Sequence, residues 1–193
     1  MHEISSVAVF CGSRLGNDPA FAGAARELGA GLASAGIRLV FGGGKIGLMG
    51  VIASAILEAG GTVLGVIPDF LRKWEVAHPT VTEMVVTDTM HSRKTRMAQE
   101  ADAFVTFPGG LGTLDETVEI VTWRQLRLHD KPIFICDVAG SAEPFVSAID
   151  GVIAQGFAPR ESRSLFTVVH GVAELLDHLG REPRGTGVAA ARL

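Results

Sequence analysis

The chain contains no tyrosine, and only two cysteines and two tryptophans occur among its 193 residues. Two cysteines are too few to build a disulfide framework, and both Cys11 and Cys136 lie in apolar runs typical of strands. We therefore expect two free thiols in a reducing compartment, which indicates a cytoplasmic protein.

Charge and long apolar runs are also scarce. The formal net charge of −4 at pH 7 gives no reason to expect a nucleic-acid partner. No apolar run approaches the ~20 residues that a membrane-spanning helix needs. The first six residues show no basic region followed by an apolar stretch, so we expect neither a secretory signal nor a membrane partner.

Short apolar runs alternate with helical patterns along most of the chain. This alternation is typical of parallel βαβ units, so it predicts a Rossmann-like open parallel sheet of about seven strands with helices on both faces. We expect one domain over residues 1–180 and a disordered tail over 181–193, where the apolar period ends. The predicted strands are residues 7–11, 37–41, 62–67, 83–87, 103–107, 132–136 and 165–169.

The fifth apolar run leads into a glycine-rich turn. Pro108 ends the run because it cannot donate a ladder hydrogen bond, and Gly109, Gly110 and Gly112 allow a tight turn. A helical pattern begins at Thr113. A strand, a glycine turn and a helix N-terminus direct unpaired N–H groups and the positive end of a dipole at one point. We interpret this segment as a phosphate cradle.

The carboxylate of Glu116 lies one turn inside this predicted helix and has two interpretations. Thr113-x-x-Glu116 has the spacing of a capping box, in which both side chains serve the helix start alone. The alternative is a catalytic carboxylate beside the cradle. The spacing by itself favours capping.

A second cluster shifts that balance towards function. Arg93 and Lys94 fall in an early turn of the helix after the fourth strand, and that turn belongs at the same sheet edge as the cradle. Cations are unfavourable at a helix N-terminus, so two of them there indicate an anionic ligand or a carboxylate partner. A solvated helix face is the alternative, and it suits Arg96 better.

A second glycine-rich segment follows the second strand. Gly42-x-Gly44-x-x-Gly47 fits the dinucleotide fingerprint, but it follows the wrong strand and lacks a suitably placed acidic residue. Ile46 stands where a P-loop needs Ser or Thr, so a triphosphate–magnesium site is also disfavoured. These glycines serve a nucleoside monophosphate or merely a tight turn, and the sequence does not decide between the two.

Four motifs together resemble the LONELY GUY (LOG) family. Residues 108–116 resemble its PGGxGTxxE signature, 90–97 its MHxRKxxM segment, 42–50 its GGGxxGLMG element and 11–13 its CGS motif. Members are cytokinin riboside 5′-monophosphate phosphoribohydrolases, often labelled "lysine decarboxylase" in error. The resemblance implies hydrolysis of the N-glycosidic bond of N6-substituted adenosine 5′-monophosphates, or of AMP, without cofactor or metal. It also implies a homodimer or larger homo-oligomer.

The resemblance also implies which residues act. The family's essential pair falls on Arg93 and Glu116, and its substrate-contacting loop glutamate falls on Glu75. The predicted substrate- and phosphate-binding set is Gly43, Gly44, Glu75, Met90, Arg93, Lys94, Gly109, Gly110, Leu111, Gly112, Thr113, Leu114, Asp115 and Glu116.

The chain departs from the family pattern in two places. Arg127 stands where the family usually has glycine, and residues 137–141 lack the family's tyrosines. Either place could shape the pocket for the N6 substituent. A non-catalytic nucleotide or molybdenum-cofactor carrier of the same fold is the main alternative. Nicotinamide-dependent oxidation and lysine decarboxylation are disfavoured by the misplaced fingerprint and by the lack of a recognisable pyridoxal lysine setting.

Overall fold

The computed structural model describes residues 4–72 and 76–181, which form seven strands and six α-helices. The strands are β1 (Ser6–Phe10), β2 (Arg38–Phe41), β3 (Val63–Pro68), β4 (Glu83–Thr87), β5 (Ala103–Thr106), β6 (Ile133–Asp137) and β7 (Thr167–His170). The helices are α1 (Pro19–Ser34), α2 (Gly47–Glu58), α3 (Met90–Glu100), α4 (Leu111–Gln125), α5 (Glu143–Ala154) and α6 (Val172–Arg181). Single 3₁₀ helices lie at Asp69–Leu71 and Arg160–Leu165.

The seven strands form one parallel sheet in the order β4-β3-β2-β1-β5-β6-β7. This arrangement confirms the predicted fold class. The strand order reverses between β1 and β5, which pair directly. Open α/β sheets bind ligands at such a switch point, outside the carboxyl ends of the strands.

Alternate residues of the inner strands serve two separate hydrophobic layers. Val7 and Val9 of β1 pack with α1, α2 and α6, whereas Ala8 and Phe10 pack with α3, α4 and α5. The strands are therefore apolar on both faces, and this explains the continuous apolar runs in the sequence.

Local signals set the starts of two helices. The Asp18 side chain accepts a hydrogen bond from the Ala20 N–H, and Pro19 opens α1, as the sequence predicts. Thr89 caps α3 and forms a reciprocal capping box with Ser92. The start of α3, and with it Arg93, is thereby fixed at the sheet edge.

The start of α4 differs from the prediction. The helix begins at Leu111 rather than Thr113, and its N-cap is Gly110, which offers no side chain. Thr113 is therefore the third helical residue and Glu116 the sixth. The capping-box interpretation of these two side chains is wrong, because the helix starts two residues before the pattern indicated.

Two predictions fall outside the described residues. Glu75 lies in the segment 73–75. Of the predicted tail, residues 181–193, only Arg181 is among the described residues, as the last residue of α6. Within the described ranges, no helix has both the length and the hydropathy needed to cross a bilayer.

Candidate active site

A cavity of about 200 Å³ opens at the switch point, between the carboxyl ends of β1 and β5. The loops after these strands are joined by a hydrogen bond from the Gly12 N–H to the Pro108 carbonyl, 3.0 Å long. A hollow of about 630 Å³ adjoins the cavity and shares Gly12, Ser13, Gly110 and Leu111 with it. The cavity is lined by Val9, Cys11, Gly12, Ser13, Gly42, Met49, Leu71, Met90, Arg93, Gly110, Leu111, Gly112, Thr113, Asp115 and Glu116.

The N-terminus of α4 forms one wall of the cavity. Its first helical bond runs from the Leu114 N–H to the Gly110 carbonyl, and no side chain caps the preceding turn. A Cβ at Gly110 or Gly112 would meet no protein atom within 4 Å, so packing does not require glycine at either position. These two glycines keep the backbone N–H groups open to a ligand in the cavity.

Gly109 has a different role in the same loop. A Cβ there would fall 2.1 Å from the Thr113 hydroxyl, so glycine is needed for the turn to close against α4. Gly109 lines the adjoining hollow rather than the cavity itself. Thr113 is buried, and its carbonyl accepts a hydrogen bond from the Thr117 hydroxyl, which holds the first turns of α4 in place.

The side chain of Arg93 is buried and is anchored to the sheet by two backbone carbonyls. Its Nε donates to Val66 at 3.1 Å, and its Nη2 donates to Gly42 at 2.8 Å. Nη1 lies 3.8 Å from the sulfur of Met90, which also lines the cavity. A buried guanidinium stays charged, so Arg93 brings a fixed positive charge to the cavity wall.

Glu116 also lines the cavity, and its carboxylate lies close enough to Cys11 to affect the ionisation of the thiol. Burial raises the pKa of the Cys11 thiol far above its usual value, and the negative charge of Glu116 raises it further. The thiol therefore stays protonated at neutral pH. Glu116 and Arg93 come from different helices and line the same cavity, as the second cluster suggested.

Lys94 does not line the cavity. Its Nζ lies 3.1 Å from Asp115 Oδ2 and 3.0 Å from Glu119 Oε2, so it pairs with two carboxylates of α4. The sequence left open an anionic ligand or a carboxylate partner for this cation, and the structure shows carboxylate partners. The expected direct contact between Lys94 and a phosphate is not supported by this placement.

The glycines that follow β2 have mostly structural reasons. A Cβ at Gly50 would overlap the Lys45 carbonyl, and Gly43 and Gly47 have φ of 78° and 65°. Gly43 and Gly44 pair with residues 77 and 78 through a hydrogen bond and an antiparallel bridge, and neither lines the cavity. In this segment the glycine that serves the cavity is Gly42, which makes room for the Arg93 guanidinium.

The remaining predicted residues divide between the cavity and the surface. Leu111 and Asp115 line the cavity, whereas Leu114 does not. The predicted set omitted seven residues that line it as well: Val9, Cys11, Gly12, Ser13, Gly42, Met49 and Leu71. Ser13 could have been found from the turn after β1, because that turn meets the cradle at the switch point. Among the described residues, no group of three His, Cys, Asp or Glu side chains is arranged to hold a metal ion.

The two departures from the family pattern have backbone consequences. Arg127 has φ of 58° directly after the C-cap of α4, a left-handed position that glycine occupies without strain. Ala139 has φ of 51° in the turn after β6. None of the described residues from 125 to 129 lines the cavity, while Ser141 lines the adjoining hollow. The arginine thus changes a helix end rather than the cavity.

Solved structures with the same fold include two molybdenum-cofactor proteins. The molybdenum cofactor binding protein of Rippkaea orientalis superposes with a TM-score of 0.67 at 19% identity, over 92% of this chain and 95% of that chain. The molybdenum cofactor carrier protein of Chlamydomonas reinhardtii gives 0.67 at 22% identity, over 93% and 96%. At these identities the likeness establishes the fold alone.

Sequence relatives match more closely. The family model described as "Possible lysine decarboxylase" matches residues 49–179. A cytokinin riboside 5′-monophosphate phosphoribohydrolase of Arabidopsis thaliana is 43% identical over 177 residues, covering 92% of this chain and 83% of the relative. One from Oryza sativa subsp. japonica is 42% identical over 170 residues, covering 88% and 70%. The chain therefore belongs to the LONELY GUY family, to which these phosphoribohydrolases belong.

Proposed function

We propose that this protein is an N-glycosyl hydrolase of the EC 3.2.2 type that acts in the cytoplasm. Its substrates are N6-substituted adenosine 5′-monophosphates or AMP, and its products are the free base and ribose 5-phosphate. One observation carries the proposal. Arg93 and Glu116, from separate helices, line one cavity beside an uncapped helix N-terminus. The names of the relatives support the same reaction.

The 5′-phosphate is bound at the start of α4. The N–H groups of Leu111, Gly112 and Thr113 lack intrahelical acceptors there, and the helix dipole adds positive potential at the same point. A single phosphate-binding helix N-terminus suits a nucleotide that carries one phosphate group. Once the phosphate is held, the ribose extends along the cavity wall towards Arg93 and Glu116.

Glu116 acts at the sugar. Cleavage of the bond between C1′ and the base passes through a transition state with oxocarbenium character at the ribose. A carboxylate beside C1′ stabilises this positive charge and orients the water that attacks it. The water oxygen forms the new bond to C1′ and gives up a proton, while the C1′–N9 bond breaks and the base leaves with the bonding electrons. The base takes up one proton, so the reaction consumes one water and releases no net proton.

Arg93 acts as a fixed cation and hydrogen-bond donor, because a guanidinium is too weakly acidic to serve as an ordinary general acid. Its buried position suits charge stabilisation on the departing base or the phosphate, and the sheet carbonyls fix its orientation. Cys11 is not the nucleophile, since burial and Glu116 raise the pKa of its thiol and keep it protonated.

The proposed binding set is revised by the geometry. Met90, Gly110, Leu111, Gly112, Thr113 and Asp115 stay in it as cavity-lining residues. Gly43, Gly44, Gly109 and Leu114 serve the loops and surfaces around the cavity. Glu75 stays a proposal from the family resemblance.

We further propose that the protein is a homodimer whose contact includes one face of α4. Leu114 and Val118 are 41% and 49% exposed on successive turns, and Leu111, one turn earlier, is 86% exposed. Apolar side chains aligned in this way commonly mark an interaction site. Leu111 also lines the cavity, so a partner on this face would lie beside the active site.

The test is release of free base, measured by chromatography, from AMP, N6-isopentenyl-AMP and N6-isopentenyladenosine. We expect release from the monophosphates and none from the nucleoside, because the cradle needs the phosphate. Glu116→Gln should abolish release, while Glu58→Gln, on the exposed end of α2, should leave it unchanged. A protein that is stabilised against heat by AMP but releases no base would instead be a carrier, and the proposal would be wrong.

A further inference from the structure

Lys94 links the two helices that carry the proposed catalytic pair. It follows Arg93 on α3, yet its ammonium lies against α4, between Asp115 and Glu119. These carboxylates are four residues apart and therefore lie on one face of α4, on either side of Glu116 in sequence. The Lys94 side chain is only 14% exposed, so the contact is largely shielded from water.

Arg93 and Lys94 extend in different directions because neighbouring residues of a helix are about 100° apart. Arg93 fixes α3 to the sheet through the carbonyls of Val66 and Gly42. Lys94 fixes the same turn of α3 to the first turns of α4. Among the described residues, the backbones of α3 and α4 make few close approaches, so side chains connect the two helices. The ion-pair cluster is one such connection, beside the apolar layer that both helices share.

The cluster also balances charge around the cavity. Asp115, Glu116 and Glu119 place three carboxylates within the first nine residues of α4. Partial burial alone would lower the pKa of the Lys94 ammonium, but its contacts with Glu119 and Asp115 outweigh burial and raise it. The cation is thus retained at neutral pH, and its removal would leave like charges facing one another.

We propose that Lys94 is a positioning residue: by holding Asp115 and Glu119, it sets the distance and orientation between Arg93 on α3 and Glu116 on α4. It does not itself bind the phosphate. This role rests on the proposed hydrolase function and replaces the direct phosphate contact expected from the sequence.

The first test is Lys94→Met, which keeps most of the length of the unbranched side chain and removes its charge. We expect kcat for N6-isopentenyl-AMP to fall by about 10- to 100-fold, because small misplacements of catalytic groups cost this much. The Kd of ribose 5-phosphate, measured by calorimetry, should change by less than about threefold, since the backbone cradle is intact. Arg96→Met is the matched control, because it removes an exposed ion pair of the same helix, and neither value should change.

A second variant tests the same proposal if Lys94→Met folds poorly. Glu119 does not line the cavity, so Glu119→Gln tests the link from the α4 side. We expect Glu119→Gln to lower kcat as well. The double variant Lys94→Met with Glu119→Gln should have a kcat no lower than that of Lys94→Met alone. The double variant that exchanges the two charges, Lys94→Glu with Glu119→Lys, should have a higher kcat than Lys94→Glu alone.

Three outcomes overturn the proposal. A Kd for ribose 5-phosphate weakened tenfold or more with unchanged kcat would make Lys94 a phosphate ligand. Unchanged kcat and Kd would show that the link is dispensable, and fully additive losses in the double variant would show that the two residues act separately.

Failure of the proposed function is recognised separately, because the wild type would then release no base. In that case amide hydrogen exchange of α4 tests the link itself. Faster exchange in its first turns in Lys94→Met than in Arg96→Met supports the link, and equal exchange rejects it.

Discussion

The guanidinium of Arg93 occupies the space where a Cβ of residue 42 would be. Its Nη2 donates to the Gly42 carbonyl at 2.8 Å, and a Cβ built on Gly42 would fall 2.0 Å from that nitrogen. The glycine after β2 and the arginine of α3 are therefore one unit, although 51 residues separate them. Gly42 thus contributes to the site by making room for a cation.

Gly42→Ala should displace the Arg93 guanidinium and lower kcat/KM by about 100-fold, because a shift of about 1 Å in a catalytic group has effects of this size. The measurement is base release from N6-isopentenyl-AMP. Gly23→Ala is the matched control, since a Cβ there meets nothing within 4 Å and lies on an exposed face of α1. The account of Arg93 would be wrong if Gly42→Ala were as active as the wild type.

Arg127→Gly should stabilise the fold by about 0.5–1 kcal/mol, because the left-handed backbone costs an L-residue about 1–2 kcal/mol and glycine loses part of that gain to unfolded-state entropy. Urea denaturation measures the change. The control is the reverse substitution at an equivalent helix end, Gly36→Ala, since Gly36 follows the C-cap of α1 with φ of 67° and open space around it. Gly36→Ala should destabilise the fold. Arg127→Gly should leave hydrolysis unaffected. Equal or lower stability of Arg127→Gly would contradict this interpretation of the helix end.

Stability should decrease in mild acid through His129. Burial lowers the pKa of its imidazole from 6.5 to about 4, and its Nε2 hydrogen-bonds to the Ile120 carbonyl. As the pH falls, His129 takes up a proton in the unfolded chain before it does so in the folded chain. The stabilisation that neutral His129 gives the fold is therefore complete above pH 6.5 and is lost as the pH falls towards 4, a loss of at most about 3 kcal/mol.

The measurement is urea unfolding at pH 7 and pH 4.5 for the wild type and His129→Gln. We expect the variant to lose less stability between the two pH values than the wild type loses. His91→Gln, on an exposed position of α3, should behave as the wild type does. An identical pH dependence in His129→Gln and the wild type would show that His129 is not responsible.

Val118→Asp should dissociate the proposed dimer, because it places a charge in the apolar face of α4. Light scattering coupled to size-exclusion chromatography gives the mass of the 20.3 kDa chain in solution. Val152→Asp, at a similarly exposed position of α5, is the control and should leave the dimer intact. A monomeric wild type, or a Val118→Asp variant that stays dimeric, would rule out this face.

The fold could be predicted from the sequence because both faces of the five inner strands, β1, β2, β3, β5 and β6, are buried. Such strands can be recognised in the sequence as continuous apolar runs, as at β5, although they show no alternation of apolar and polar residues. The helices between the strands indicate that the strands are parallel. Which side chains line the cavity was harder to predict. Gly42 matters through an arginine 51 residues away, and no local pattern records that contact.

The differences between prediction and structure near α4 have two causes. The N-cap of α4 is Gly110, which has no side chain to signal a helix start, so the pattern predicts a start at Thr113 and suggests a capping box. Lys94 was assigned to phosphate because charge alone does not tell a ligand from a carboxylate on a neighbouring helix. Its partners Asp115 and Glu119 become visible only when α3 and α4 are placed side by side.

The central claim is that Arg93 and Glu116 act together on the glycosidic bond, and a double-mutant cycle on kcat/KM for release of base from N6-isopentenyl-AMP tests it most directly. We predict that Arg93→Ala and Glu116→Gln each lower kcat/KM by about 1,000-fold or more, and that the double variant is scarcely worse than either, as for groups that work as a unit. Multiplicative losses, or near wild-type turnover in either single variant, would contradict the account.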